Sequence, residues 1–182
     1  GLEKAIVEGK VAALPRLGEK TAENILRHIR SMRTKDQRIP IGRALPIADE
    51  IIASLREKCP GLNKIGPAGS LRRWQETIGD IDIMGTASDP AQVIDEFARL
   101  PQVSQVLVHG PKKASVVVPP GVQVDLRIVD DESYGALIQY FTGSKQHNVR
   151  LRDYANRMGL SLNEYGISNL NTGVMERFSQ EE

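Results

Sequence analysis

Three aspartates stand where their carboxylates could act together. Asp80 and Asp82 alternate with Ile81 and Ile83, and in a strand side chains two apart leave the same face. The stretch from Val122 to Ile128 repeats the logic. Val122, Val124, Leu126 and Ile128 take one face, leaving Gln123, Asp125 and Arg127 on the other. If the two strands are neighbours, three carboxylates converge on one sheet surface. Unpaired, they would repel and raise one another's pKa. A hard cation removes that conflict, and an all-oxygen ligand set suits magnesium. Two such ions can polarise the attacking and leaving oxygens of an in-line phosphoryl transfer. An isolated Asp-x-Asp is nevertheless more often a pair of solvent-facing residues, so the residues ahead of it decide.

Those residues read Gly69-Ser70-Leu71-Arg72-Arg73, followed by Gly79 directly before Asp80. Glycine lets a backbone approach a phosphate closely. Ser70 is expected to cap a short helix, whose start offers free N–H groups and a positive dipole end. Arg72 and Arg73 add charge, and arginine can hold phosphate oxygens in a fork. Alone, this pattern is often a capped helix with surface arginines. Joined within a dozen residues to Gly79-Asp80-Ile81-Asp82, it brings a phosphate binder and metal ligands to one place.

The elements that must position these groups follow from periodicity. Residues 1–58 read as helical: Ala22, Ile25, Leu26, Ile29 and Met32 form one stripe, and Ala44, Ala48, Ile51, Ile52 and Leu55 another. A polar break from Arg33 to Arg38 separates them. Strands are expected at 81–84, 103–109, 115–118 and 122–129, with Pro119-Pro120-Gly121 joining the last two. Asp89-Pro90 marks a helix start with Val93, Phe97 and Leu100 on its buried stripe. Beyond Asp131, Tyr134, Leu137, Ile138 and Phe141 share a helical face; Gly143 breaks it, and a second helix runs from Lys145 to Gly159. On that helix Asn148 and Arg152 lie on one face, opposite a core stripe of Leu151, Ala155 and Met158. The plan is α+β: an N-terminal helical part (1–58), a central part with a small, mostly antiparallel sheet (59–130), and a small C-terminal α/β part (131–182).

Composition narrows the class. The 182 residues are 40% hydrophobic and 26% charged, with a formal net charge of +1. That charge is too small for a generic polyanion binder, so any DNA contact must rest on local clusters. No run of eighteen apolar residues predicts a membrane span. Cys59 stands alone, which excludes a disulfide framework and fits a reducing cytoplasm. His28, His109 and His147 lack ligand spacing. The start at Gly1 and the polar end suggest a fragment of a longer polypeptide.

With these motifs in hand, the chain resembles the family X DNA polymerases, the polymerase beta-like group, and its wording is nearest to bacterial members. Gly69-Ser70-Leu71-Arg72-Arg73 with Gly79-Asp80-Ile81-Asp82 resembles the nucleotidyltransferase signature. Val124-Asp125-Leu126-Arg127 is similar to the strand bearing the third carboxylate. Tyr140-Phe141-Thr142-Gly143-Ser144 matches the nucleotide-pocket motif, and Asn163-Glu164-Tyr165 agrees. Leu14 to Ala22 resembles a helix-hairpin-helix, with Arg16 where a first glycine is usual.

The resemblance implies a catalytic core with a helical DNA-binding part, a palm, and a C-terminal part holding nucleotide and template. Asp80 and Asp82 would ligate two magnesium ions, with manganese as the alternative, and Asp125 only the catalytic one. Gly69, Ser70, Arg73 and Gly79 would bind the phosphates of a deoxynucleoside triphosphate. Ile78 stands where relatives often carry serine. Arg72 would serve as a structural or closure-linked ion pair. Tyr140, Phe141 and Gly143 would form the sugar pocket, Asn148 would touch the base edge, and Arg152 the template. Lys145 replaces an acidic residue of some relatives. Lys113, Arg16, Gly18 and Lys20 would contact the DNA backbone, with a monovalent ion at the hairpin. The implied activity is template-directed extension of a primer, as in gap filling during repair, by a monomeric cytoplasmic protein acting on gapped or primed DNA. The alternatives are a template-independent nucleotidyltransferase of the same fold and a non-catalytic DNA-binding fragment.

Overall fold

The computed structural model describes residues 2–11, 17–26 and 38–180. The chain divides into two compact units, residues 1–37 and 38–182.

In the first unit, helix α1 (Leu2–Val7) and a helix α2 covering residues 19–26 bury Ile6, Val11 and Ala22, with Leu17, Ile25 and Leu26 packed around them. The expected stripe is thus present as far as Leu26. Ile29, Met32, His28 and Arg16 lie outside the described residues.

The second unit is mixed α+β. Its main sheet has five strands in the order β2 (Leu62–Pro67), β4 (Asp80–Ala87), β7 (Val122–Val129), β6 (Lys113–Val118) and β5 (Gln105–His109). Three of its pairings are antiparallel; the central one, β4 with β7, is parallel. β1 (Ile39–Pro40) and β3 (Thr77–Ile78) form a separate two-stranded ribbon, which the apolar pattern did not announce.

Alternation puts Ile81, Ile83, Val124, Leu126 and Ile128 on one face, each at most 1% exposed. Helix α3 (Ile41–Lys58) lays Ala44, Ala48, Ile51, Ile52 and Leu55 into that core, and α5 (Pro90–Ala98) adds Val93, Ile94 and Phe97. The Asp89 carboxylate caps α5 by accepting from the Gln92 N–H at 3.1 Å, as its Asp-Pro start predicts. α3 therefore shares the hydrophobic core of the sheet instead of standing with the first unit, because its apolar stripe is as wide as a sheet-facing helix needs.

The opposite face of the sheet is divided. Met84 and Val129 pack under α6 (Tyr134–Thr142) through Leu137 and Ile138, with Tyr134 and Phe141 alongside. α6 stops at Gly143, so the end of that face carrying Asp80, Asp82 and Asp125 is left uncovered by it. Beyond it, α7 (Lys145–Arg157) leads into a small sheet of β8 (Leu160–Asn163), β9 (Gly166–Asn169) and β10 (Met175–Glu176). Ala155 is buried as expected, but Met158 is 60% exposed. α7 ends at Arg157, so residue 158 leaves the helical face that the 3.6-residue period assigned to it. Among the described residues no helix is long and apolar enough to cross a membrane.

Candidate active site

The site is built on the parallel pair at the centre of the sheet. Asp82 is in register with Asp125, and Asp80 with Gln123. Neighbouring strands lie about 4.8 Å apart, so the half-buried Asp80, Asp82 and Asp125 share one patch, as the alternation required. The consequence is electrostatic. Burial first, then the charges of Asp80 and Asp125, push the Asp82 carboxyl up to about 7, against the opposing pull of Arg73.

Side-chain orientation differs from the expected cluster. Gln123 donates from Nε2 to both oxygens of Asp125 at 2.9 Å, so that carboxylate is turned along its own strand. Among the described residues no group of three or more His, Cys, Asp or Glu is already gathered as a metal site. Uncompensated carboxylates repel one another, and Asp125 takes a neutral donor instead of its neighbours. The donor set still fits a hard divalent cation. It is all oxygen, it is half-buried, and Asp82 carries a charge conflict that a cation relieves.

The loop of residues 69–73, the expected phosphate binder, lies against the same carboxylate. β2 leads into the single-turn helix α4 (Gly69–Arg72), and the Ala68 N–H donates to the Asp82 carbonyl at 2.8 Å. Gly69 has φ +55°, and a Cβ there would stand 1.9 Å from Asp82 Oδ2. Only glycine fits, for backbone conformation and for space. The cap position is Ala68, without a side-chain cap bond. Ser70 thus lies inside the turn and does not cap it, because the chain enters the turn two residues early as it passes over Asp82.

Both arginines of the loop reach towards the end of α6. Arg73 Nη1 donates to the Thr142 carbonyl, and Arg72 Nη1 to the Thr142 hydroxyl at 2.8 Å. Gly143, with φ +70°, offers a surface where a Cβ would meet Arg73 Nη1 at 3.1 Å. Gly69 to Arg73 and Tyr140 to Gly143 are therefore brought together. Tyr140 and Phe141 pack edge to face at 5.3 Å between ring centres. Asn148 donates to the Tyr140 carbonyl at 2.6 Å, while its Oδ1 is buried without a partner. The Arg152 guanidinium lies 5.9 Å from the Tyr140 ring centre, and that of Arg127 4.8 Å from Phe141. Asn163 Oδ1 accepts from the N–H groups of Tyr165 and Gly166 and shapes the β8–β9 turn.

One position escaped the sequence. Arg38, about forty residues upstream, donates from Nε to Thr77 Oγ1 at 2.8 Å, and its Nη1 lies 3.0 Å from where a Gly79 side chain would begin. No local pattern could have found it, since only the β1–β3 ribbon brings it there. Ile78, where a phosphate-facing hydroxyl was in question, is fully buried in the core opposite Ile39. Lys145 is exposed. Lys113 is exposed on β6, while its neighbour Lys112 pairs with Asp130 at 3.4 Å. In the first unit Gly18 precedes α2, accepting from the Thr21 and Ala22 N–H groups, and Lys20 is exposed on its first turn.

Comparison with known proteins places the chain among DNA polymerase sequences. Residues 137–182 match the DNA polymerase beta thumb family. Over 182 residues, 99% of its length, the chain is 35% identical to the DNA polymerase/3′-5′ exonuclease PolX of Bacillus subtilis (strain 168). It is 27% identical over 149 residues, 72% of its length, to DNA polymerase lambda of Rattus norvegicus. The chain spans 32% of the first relative and 26% of the second.

Proposed function

We propose, on the premise that this chain is a relative of the family X DNA polymerases, that it carries the nucleotidyl-transfer site of a template-directed polymerase that fills short gaps during repair. The observation that carries the reading is the in-register pair Asp82 and Asp125, with Gly69 of the phosphate loop packed directly on Asp82.

Asp80 and Asp82 would hold two divalent cations, magnesium or manganese, and Asp125 would hold one of them. When bound, these ions supply the positive charge that eases loss of the 3′-hydroxyl proton and departure of the diphosphate. Gln123 keeps Asp125 oriented until a ligand draws it away. Ser70, Arg73, Arg38 and the Gly79 backbone cradle the triphosphate, neutralising charge that grows on the leaving group. Arg73 must release the Thr142 carbonyl to do so, which couples nucleotide entry to the end of α6. Tyr140, Phe141 and Gly143 line the sugar. Asn148 has an unpaired buried acceptor close to where a base edge would come. A minor-groove contact of that kind senses pair shape more than sequence. Arg152 touches the template strand.

The remaining assignments follow the same division. The unit of residues 1–37, with Arg16, Gly18, Lys20 and a monovalent ion at its hairpin, grips DNA phosphates without regard to sequence. Lys113 adds a backbone contact. Residues 59–130 act as the palm and 131–182 hold nucleotide and template. The protein works as a monomer in the cytoplasm.

Primer extension on gapped DNA tests the reading. Asp125→Asn should lower incorporation with magnesium by a thousandfold or more, on the order of other losses of transition-state charge stabilisation, while triphosphate binding persists. Near-normal extension by that variant would remove the assignment. Extension of wild-type chain that proceeds equally without a template would favour a template-independent transferase.

A further inference from the structure

A cavity of about 390 Å³ opens just outside the phosphate loop, lined by Arg38, Trp74, Gln75, Glu76 and Thr77. Trp74 is the sole tryptophan of the chain and is 72% exposed. Its backbone has φ +53°, the one non-glycine residue with positive φ among those described. Core packing does not explain a large indole held in water on a conformation that glycine adopts more readily. Arg38 ties this cavity to the loop, because its guanidinium also lies against Gly79.

We infer that the cavity is a subsite for a nucleobase tethered to the loop through phosphates, that is, for the second nucleoside of a dinucleoside polyphosphate. The inference rests on the reading of Gly69 to Arg73 and Gly79 as a triphosphate cradle. The chemistry changes in order along the surface. The loop and Arg38 are cationic and suit a phosphate chain; the indole face beyond them suits a planar aromatic ring. Gln75 and Glu76 then offer acceptors for exocyclic amino groups. The Glu76 carboxylate also disfavours a further phosphate in the cavity, so the base is the part that enters. A nucleoside triphosphate alone ends at Arg38 and leaves Trp74 uncovered.

The test uses the 182-residue chain with magnesium, and three probes: bis(deoxyadenosine) tetraphosphate, deoxyadenosine triphosphate and inorganic tripolyphosphate. Calorimetry should show the dinucleotide binding about tenfold more tightly than the triphosphate, the advantage one stacked base provides. Indole emission should be quenched saturably by the dinucleotide and not by tripolyphosphate. Trp74→Ala should erase the tenfold advantage while leaving triphosphate affinity unchanged, and Trp74→Phe should keep most of it. Equal affinities of wild type for dinucleotide and triphosphate would overturn the inference while the cradle stands. So would an equal loss for both ligands in Trp74→Ala. Failure of all three probes to bind would overturn the cradle itself, and the subsite with it.

Discussion

Arg127 and Glu164 meet at 3.2 Å between strand β7 and the β8–β9 turn, with about a quarter of each side chain exposed. The same guanidinium lies over Phe141. One arginine two residues from Asp125 thus links the carboxylate strand, the aromatic pair and the C-terminal sheet.

Glu164→Gln should therefore cost about 1–2 kcal/mol, as loss of a partly buried charge-assisted bond does. It should also slow single-nucleotide incorporation severalfold by loosening Phe141. Urea melts and single-turnover kinetics read the two effects. A normal rate in a destabilised variant would limit the pair to a structural role.

Gly69→Ala places a methyl 1.9 Å from Asp82 Oδ2 on a left-handed backbone. Both penalties act at once, so a loss of about 3 kcal/mol or more is expected, with polymerisation abolished. A thermal midpoint within a degree or two of wild type would contradict the close packing of loop on carboxylate.

Asp82 makes cation-free stability depend on pH. Its folded pKa is about 7, against 3.8 for the free group. Between those values the folded state retains a proton that the unfolded state has lost. Stability from this group is thus greatest below pH 4, falls as pH rises, and levels off above about 7. Asp82→Asn should flatten that slope and raise the melting temperature at pH 8. Magnesium should stabilise wild type more at pH 8 than at pH 5, where protons compete with it. Melting curves across pH with and without chelator check each sign.

Trp74→Gly should stabilise the fold by about 1 kcal/mol, because glycine adopts φ +53° without the side-chain clash that tryptophan meets. Little burial is lost from a ring already 72% exposed. A lower urea midpoint would show that the indole is held by packing.

The faces of the strands were readable in the sequence because alternation is local. Asp80 and Asp82 against Ile81 and Ile83, and Asp125 against Val124 and Leu126, lie as their spacing demands. The α5 cap was readable for the same reason, since Asp89 and Gln92 are three residues apart. Ser70 shows where local logic stops: a cap was expected, and contact with Asp82 moved the start of the turn to Ala68.

Which residues can form a strand, and which of its faces is wet, depends on neighbours within a few positions, so the sequence alone determined the acidic face. Tertiary structure decided that Asp82 and Asp125 stand in parallel register and that Arg38 reaches Gly79. It also decided that α3 belongs to the core of the sheet. Those outcomes depend on pairing and packing between separate segments of the chain, which no periodicity records.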